Sequence, residues 1–291
     1  MRTGILLLDK PLGVSSNAAL QRVRRLLGAA KAGHVGSLDP LATGMLPICL
    51  EEATKIAGEI LAGRKCYRFS IGLGARTATG DAEGAVIQSL PIPALQPEDI
   101  GRALASFRGR QSQIPPMYSA LKRDGVPLYR LARAGQVVER TARAIDISDL
   151  KLLSFDGARM ELEVICSKGT YVRTLAEDIA RALGTCGYVT RLHRVYVEPF
   201  VSEPMHTLES VASARAAGQF PALLPADGAL GHLAALHLDA ARAQRLRQGQ
   251  AVAADATASG SVRLYDESGC FFGLGVADGA GQVRPRRLFV L

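Results

Sequence analysis

The sequence has no uninterrupted apolar run of the ~18 or more residues that a membrane-spanning helix needs. The apolar stretch close to its start, residues 5–8, is too short for the core of a secretory signal peptide. These absences disfavour a membrane-spanning or secreted protein. We therefore expect a cytoplasmic protein.

Metal-ligand spacings are lacking as well. The cysteines are widely scattered, and no two have the short separation of a zinc knuckle. The histidines form no His-Glu-x-x-His or similar ligand set. We expect reduced thiols and no bound metal. The residues concerned are Cys49, Cys66, Cys166, Cys186 and Cys270, and His34, His193, His206, His232 and His237.

Glycine-rich motifs for nucleotide cofactors are also missing. The glycines around residues 74–81 do not complete Gly-x-Gly-x-x-Gly, because Thr77 occupies the third glycine position. The phosphate-binding pattern Gly-x-x-x-x-Gly-Lys-Ser/Thr occurs nowhere in the chain. We expect no nucleotide cofactor, and we predict residues 74–81 to be a polar loop.

The composition favours a globular protein with an anionic partner. The 291 residues are 48% hydrophobic, enough for one large domain and a small one. The net charge is +8, from 35 basic and 27 acidic residues. This excess does not by itself distinguish a nucleic acid from an acidic membrane surface.

Hydrophobic periodicity predicts an α+β protein. A helix should begin at Ser15 or Ser16 and end at Gly28, with its arginines on or beside the outer face. Another should begin at Thr170, which is a plausible N-cap. Asp156 and Gly157 indicate a hairpin. The further predicted helices are residues 51–61, 97–107 and 207–218, and the predicted strands are 5–8, 67–73, 145–155, 159–166 and 188–197.

The last quarter of the chain differs from the rest. Alanine, glycine and proline dominate residues 212–230, which we predict to be a linker. Residues 236–291 are short segments divided by glycines, a pattern typical of a small β-rich module. We place the boundary between the two domains at residues 230 and 231. A basic stretch within residues 115–142 is predicted to form an arm inserted into the first domain.

Asp39 lies in an apolar, glycine-flanked frame within residues 34–44. Leu38 and Leu41 bracket it, and Pro40 disfavours the right-handed helical region for it. An Asp-Pro pair is typical of an ordinary turn. A solvent-exposed loop would not need the flanking leucines, so a functional carboxylate stays open beside the turn, which the composition alone favours.

The segment Gly-Ser-Leu-Asp-Pro-Leu-Ala-Thr-Gly, residues 36–44, resembles the signature of the bacterial tRNA pseudouridine-55 synthases, the TruB family. Four other segments resemble that family in the same order along the chain. They are residues 8–16, residues 45–55, Lys65-Cys66-Tyr67 and Gly169-Thr170-Tyr171-Val172-Arg173. The resemblance covers most of the first 200 residues, and it is weaker in the C-terminal module.

The resemblance implies catalytic roles for three residues. Asp39 would be the nucleophile, Arg173 its cationic partner, and Tyr67 a residue that stacks on the target base and moves a proton. Burial alone would neutralise a carboxylate, whereas a guanidinium stays charged and can keep it ionised. As an isolated residue, Arg173 would be a surface charge and Tyr67 a core side chain.

Other positions would bind or support the substrate site. The resemblance places His34, Tyr171 and Leu192 against the flipped nucleotide, and gives Lys10 and Pro11 a supporting role. His193 departs from the family, which commonly has arginine there, so the contact made at this position is left open.

The resemblance implies an isomerase, an intramolecular transferase, that converts uridine 55 in the T loop of tRNA to pseudouridine without a cofactor. The expected fold is a mixed, mainly antiparallel sheet flanked by helices, followed by a PUA-like RNA-binding module. The expected partner is tRNA, bound at the T arm and elbow and through the module at the acceptor stem. We expect a monomer.

Four alternatives stay open at this point. Asp39 could attack C1′ of the ribose or C6 of the base, or the reaction could pass through a glycal. A guide-dependent enzyme for ribosomal RNA is disfavoured by the lack of a long N-terminal extension. A tRNA-folding chaperone could exist alone or coexist with catalysis, and a carboxylate hydrolase would release free uracil or sugar.

Overall fold

The computed structural model describes residues 2–254 and 259–290. Residues 1, 255–258 and 291, which belong to the predicted catalytic domain and C-terminal module, lie outside the described residues. The strands are β1 (Gly4–Lys10), β2 (Ala32–His34), β3 (Ala42–Leu50), β4 (Lys65–Leu73), β5 (Ala75–Thr77), β6 (Val86–Ser89), β7 (Gly109–Gln113), β8 (Lys122–Arg123), β9 (Val126–Pro127), β10 (Arg143–Phe155), β11 (Arg159–Cys166), β12 (Gly187–Val197), β13 (Ala234–His237), β14 (Val252–Ala253), β15 (Ser259–Tyr265), β16 (Phe271–Asp278) and β17 (Gln282–Leu288).

The helices lie at the periphery of the sheets. They are α1 (Ser16–Leu27), α2 (Ala57–Ala62), α3 (Pro97–Ser106), α4 (Leu128–Arg133), α5 (Val172–Ala182), α6 (Leu208–Ala216) and α7 (Ala240–Arg247), with 3₁₀ segments at Glu51–Ile56 and Ala226–Leu230. No helix in the described ranges combines the length and the apolar character that a bilayer crossing requires.

An eight-stranded sheet forms the centre of the first part of the chain. Its strand order is β1-β3-β12-β4-β11-β10-β7, and β2 also pairs with β3. The pairing of β12 with β3 is parallel, whereas the other neighbours are antiparallel. This arrangement, with a separate β-rich sheet near the C-terminus, confirms the predicted α+β class and the mixed, mainly antiparallel sheet.

The helix α1 has the ends that the sequence predicts. The Ser15 side chain accepts a hydrogen bond from the Ala18 amide, and Gly28 ends the helix in the left-handed conformation with φ of 63°. Its apolar face packs on β1 and β3, since Leu20 and Val23 share one buried cluster with strand residues. Arg22, Arg24 and Arg25 are exposed, as predicted.

Three local predictions are wrong. Thr170 does not cap α5: its hydroxyl donates to the Ser167 carbonyl at 3.0 Å, and the N-cap is Tyr171. Residues 51–61 are not one α-helix: Glu51–Ile56 is a tighter 3₁₀ segment, in which the Thr54 hydroxyl donates to the Glu51 carbonyl at 2.7 Å, and α2 begins only at Ala57. Residues 74–81 are not wholly a loop, because β5 pairs with β6.

The predicted linker, residues 212–230, is also largely ordered. Its alanine-rich start continues α6, in keeping with the high helix propensity of alanine. Its end packs into a core cluster, where Ala229 and Leu230 are buried together with Phe289 of the C-terminal module. The chain between the two sheets is therefore packed against both.

The C-terminal module is a five-stranded sheet in the order β13-β15-β16-β17-β14. The helix α7, which the sequence analysis missed, is capped by Asp239 and contributes Ala243 and Leu246 to the module's core. The module is also fixed to the first part of the chain. Arg286 pairs with Glu59 at 3.1 Å, and the Lys55 ammonium donates to the Leu288 carbonyl at 2.6 Å.

The predicted arm, residues 115–142, contains the two-stranded pair β8 and β9 and the helix α4. Leu128 is buried, and its amide binds the Leu121 carbonyl at 2.7 Å. Residues 119–121 line the cavity described below. The segment thus combines its own small secondary structure with one wall of that cavity.

Candidate active site

A cavity of about 600 Å³ opens beside the centre of the eight-stranded sheet. Five of the residues predicted from the sequence line it, namely Asp39, Tyr67, Tyr171, Arg173 and Leu192. They come from four separate segments of the chain. A volume of this size suits a nucleotide or another small molecule.

The register of the sheet brings these segments together. The parallel pairing of β3 with β12 sets Ala42, at the end of the Asp39 segment, opposite Leu192. The antiparallel pairing of β12 with β4 sets Arg194 opposite Tyr67. Gly44 permits the close approach of β3 and β12, because a Cβ there would lie 2.2 Å from the Arg194 carbonyl oxygen.

Asp39 and Arg173 form an ion pair at the cavity wall. An Nη2 to Oδ2 distance of 2.9 Å joins them, with the Arg173 side chain 6% exposed and the Asp39 side chain 41% exposed. Burial raises the pKa of Asp39 above its ordinary value, and the guanidinium opposes that rise. The pair therefore presents a carboxylate that is held on one side and open to the cavity on the other.

Arg173 is a buried centre of several contacts. It lies in the first turn of α5, on the face that packs against the sheet. Its Nη1 donates to the Thr79 carbonyl and its Nη2 to the Tyr118 carbonyl, both at 2.8 Å. These bonds fix the plane of the guanidinium, so that it meets Asp39 in one orientation.

The sequence analysis missed Asp81, a second carboxylate beside Arg173. Asp81 is 3% exposed, and its Oδ2 lies 3.6 Å from Arg173 Nε. Its charge is one cause of the raised pKa of Asp39. The sequence around Asp81 indicates only a turn, in which the Thr79 hydroxyl donates to the Asp81 carboxylate. No local pattern relates Asp81 to Asp39.

Two buried cations were also missed. Arg194 is 1% exposed and donates from Nε to the Met45 carbonyl at 2.6 Å and from Nη2 to the Gly36 carbonyl at 2.9 Å. Lys65 is buried and donates to the Leu61 and Gly63 carbonyls. Burial lowers the pKa of Lys65 to about 8. Both cations line the cavity.

The aromatic residues of the cavity are held differently. Tyr67 is half-buried on β4, and burial raises its pKa while the nearby Arg194 opposes the rise. Tyr171 is anchored through its backbone: its amide donates to Gln113 Oε1 at 2.8 Å, and its carbonyl accepts from Gln113 Nε2 at 3.1 Å. Gln113 is a further residue that sequence patterns did not single out.

His34, Lys10 and Pro11 are not among the described residues that line the cavity. His34 lies on β2 opposite Ile48, and burial lowers its pKa. Lys10 lies beneath the Asp39 segment and donates to the Pro40 carbonyl at 3.4 Å. The structure therefore puts Lys10 next to the site, and His34 near Arg194 but outside the cavity lining.

His193 forms a local contact. Its Nδ1 lies 2.8 Å from the Thr43 hydroxyl, across the parallel pairing of β12 with β3. Burial lowers the pKa of His193, which favours the neutral imidazole near pH 7. The residue that departs from the family pattern is thus used to join the two strands that build the site.

Models of known protein families match almost the whole chain. A sequence model described as "TruB family pseudouridylate synthase (N terminal domain)" matches residues 24–172. Models of the tRNA pseudouridylate synthase B C-terminal domain and of the pseudouridine synthase II TruB C-terminus match residues 173–231 and 234–289. The chain belongs to the TruB family of pseudouridylate synthases.

Relatives within the TruB family extend over nearly the whole chain. The chain is 50% identical over 288 residues to tRNA pseudouridine synthase B of Chromohalobacter salexigens, covering 98% of this chain and 94% of that protein. It is 50% identical over 285 residues to tRNA pseudouridine synthase B of Aromatoleum aromaticum, covering 98% and 92%. The resemblance inferred from five motifs is confirmed.

A solved structure of lower sequence identity has the same fold. A chain in the structure of an H/ACA RNP bound to a substrate RNA containing 2′-deoxyuridine superposes with a TM-score of 0.75, at 21% identity. The match covers 99% of this chain and 85% of that chain. At this identity, the likeness establishes a shared fold.

Proposed function

We propose that this protein is a tRNA pseudouridine synthase that isomerises uridine 55 of the T loop. The Asp39–Arg173 ion pair, with its distance of 2.9 Å at the wall of a nucleotide-sized cavity, is the observation that carries the proposal. The sequence relationship supports the substrate, because the relatives from two organisms are tRNA pseudouridine synthases.

In the proposed reaction, Asp39 is a covalent nucleophile. The C1′–N1 bond of the uridine breaks, the base turns within the cavity, a C1′–C5 bond forms, C5 loses its proton, and N1 gains one, so that the product is an isomer. No electrons are gained or lost, so the reaction needs no redox cofactor. A covalent intermediate divides one difficult step into two easier ones. Attack at C1′, attack at C6 and a glycal route all fit this atom balance.

The uridine must leave its stack in the RNA to reach Asp39, which costs a few kcal/mol. We propose that Tyr67 stacks on the extruded base and moves a proton, with Tyr171 and Leu192 beside it. The net charge of +8 supports RNA as the partner, because phosphate contacts supply binding energy. The T arm and elbow as the bound region, acceptor-stem contact by the C-terminal module, and a monomeric state are parts of this proposal.

Unmodified tRNA carrying tritium at C5 of its uridines tests the reaction class. We expect the purified protein to release tritium to water while the mass of unlabelled tRNA stays unchanged. Free uracil or a shortened RNA would instead indicate a carboxylate hydrolase. Binding of tRNA without tritium release would indicate a folding chaperone alone.

Replacing Tyr67 by Phe should separate stacking from proton transfer. We expect Tyr67→Phe to bind tRNA within about twofold of wild type but to lower the rate of product formation by about 10²-fold, the typical effect of general acid–base catalysis. Single-turnover assays at saturating enzyme measure this rate. Tyr188→Phe, on β12 outside the cavity lining, is the matched control. Equal rates for the two variants would leave Tyr67 with stacking only.

The acid side of the pH–rate profile should report the ionisation of Asp39. Because only the carboxylate is nucleophilic, the rate falls as pH drops through the pKa of Asp39, which burial raises above 3.8. In Asp81→Asn the loss of a neighbouring negative charge lowers that pKa, so we expect the acid limb to move to lower pH. An acid limb that does not move would contradict the electrostatic coupling of the two carboxylates.

A further inference from the structure

The Ser16 hydroxyl forms two hydrogen bonds with the backbone of Leu38, the residue before Asp39. Ser16 is the first residue of α1 and is 4% exposed. Its Oγ accepts a hydrogen bond from the Leu38 amide at 2.7 Å and donates one to the Leu38 carbonyl at 2.9 Å. A hydroxyl has one donor and two acceptor positions, so this single oxygen binds the peptide groups on both sides of Leu38.

The backbone after Asp39 is held from the same region of the chain. The Pro40 carbonyl accepts hydrogen bonds from the Gly13 amide at 2.8 Å and from Lys10 Nζ at 3.4 Å. The Asp39 carbonyl accepts one from the Ala42 amide at 3.0 Å. The carbonyls of three successive residues, 38 to 40, are therefore all bound.

The side chain of Asp39 is much less constrained than its backbone. In the structure it pairs with one guanidinium nitrogen of Arg173, and it keeps 41% of its surface exposed. Its direction into the cavity therefore depends on the peptide that joins Leu38 to Asp39. If that peptide rotated, the Cα–Cβ bond of Asp39 would swing, and misplacement by about 1 Å can cost 10²-fold in rate.

We propose that Ser16 is a positioning residue for Asp39: its hydroxyl fixes the Leu38 backbone so that the nucleophile points at the substrate. This inference rests on the proposed function for its kinetic consequence. Ser16 does not line the cavity and acts only through Leu38.

The neighbouring serine separates positioning from helix stability. Ser15, not Ser16, is the N-cap of α1, and its side chain accepts from the Ala18 amide at 3.2 Å. Ser15→Ala therefore weakens the start of the same helix without touching Leu38. Ser16→Ala removes both bonds to Leu38, and Ser16→Thr keeps a hydroxyl at that position.

The experiment measures three quantities for the full chain and these three variants. They are kcat with unmodified tRNA, the Kd for that tRNA, and the hydrogen-exchange rate of the Leu38 amide by NMR. For Ser16→Ala we expect kcat to fall at least about tenfold relative to wild type, with the Kd for tRNA within about twofold. We also expect the exchange rate of the Leu38 amide to rise relative to wild type, by a factor at least about tenfold larger than the change at the Leu20 amide in α1. Ser15→Ala should keep wild-type kcat, and Ser16→Thr should recover most of it.

Equal kcat values for Ser16→Ala and Ser15→Ala would overturn the proposal. It would also be overturned if Ser16→Ala lowered the exchange protection of the α1 amides as much as that of the Leu38 amide. Unchanged protection of the Leu38 amide in Ser16→Ala would overturn it without any reference to catalysis. If the wild-type chain formed no pseudouridine, the proposed function would fail, whereas the exchange measurement would still decide whether Ser16 fixes the Leu38 backbone.

Discussion

Asp39→Asn is expected to abolish pseudouridine formation while leaving tRNA binding intact. Asparagine has nearly the same shape as aspartate, so the backbone bonds around residue 39 can persist. An amide, however, is not a nucleophile and cannot form the covalent intermediate. We expect the single-turnover rate to fall by roughly 10⁴-fold or more, which corresponds to about 5 kcal/mol of lost transition-state stabilisation.

The binding measurement is the control for this variant. The substitution removes a negative charge from a cavity that receives a polyanion, so the Kd for tRNA should stay equal or decrease. A rate within about tenfold of wild type would contradict a nucleophilic role for Asp39. Weakened binding with an unchanged single-turnover rate would give Asp39 a role in recognition instead.

Replacing Arg173 should have the second-largest effect, on both rate and stability. Arg173→Ala leaves the buried Asp81 without its cationic partner. It also removes the charge that opposes the burial-induced rise in the pKa of Asp39. Removing one partner of a buried ion pair typically destabilises a protein by about 3 kcal/mol or more. A loss of activity in Arg173→Ala would therefore not separate a folding defect from a catalytic one.

Arg173→Lys is the sharper test because it keeps the charge. One ammonium cannot reach Asp39, Thr79 and Tyr118 in the planar geometry that the guanidinium provides. We expect kcat to fall by about 10²-fold, with the acid limb of the pH–rate profile displaced to higher pH because Asp39 is held less firmly in its ionised form.

Arg181→Lys is the matched control, since Arg181 is an exposed residue of the same helix that pairs with Asp178 at 2.8 Å. It should keep wild-type kcat, pH dependence and thermal stability, because exposed pairs contribute little. If Arg173→Lys behaved in the same way as this control, Arg173 would not be needed to hold the Asp39 carboxylate.

The parts of the site that sequence could predict are those that short motifs mark. Asp39 has its apolar frame, and Arg173 and Tyr67 lie in segments that resemble the family's motifs. The helix α1 was predictable in full because Ser15 and Gly28 are local signals at its two ends. These features depend on residues within a few positions of one another.

Other residues depend on contacts between distant segments. Arg194 reaches the site only because β12 pairs in parallel with β3, and no local pattern reveals that register. Asp81 meets Arg173 from a distant part of the chain, and Ser16 binds a residue 22 positions away. The order within the predicted linker was missed for a similar reason, since Leu230 is buried in a cluster that joins Ile5 of the first part of the chain to Phe289 of the C-terminal module.

A position-resolved map of pseudouridine in unmodified tRNA, after incubation with wild-type protein and with Asp39→Asn, tests the central claim most directly. The account predicts pseudouridine at position 55 with wild-type protein and none with the variant, although both bind the tRNA. Pseudouridine at position 55 in both reactions, or in neither, would contradict it.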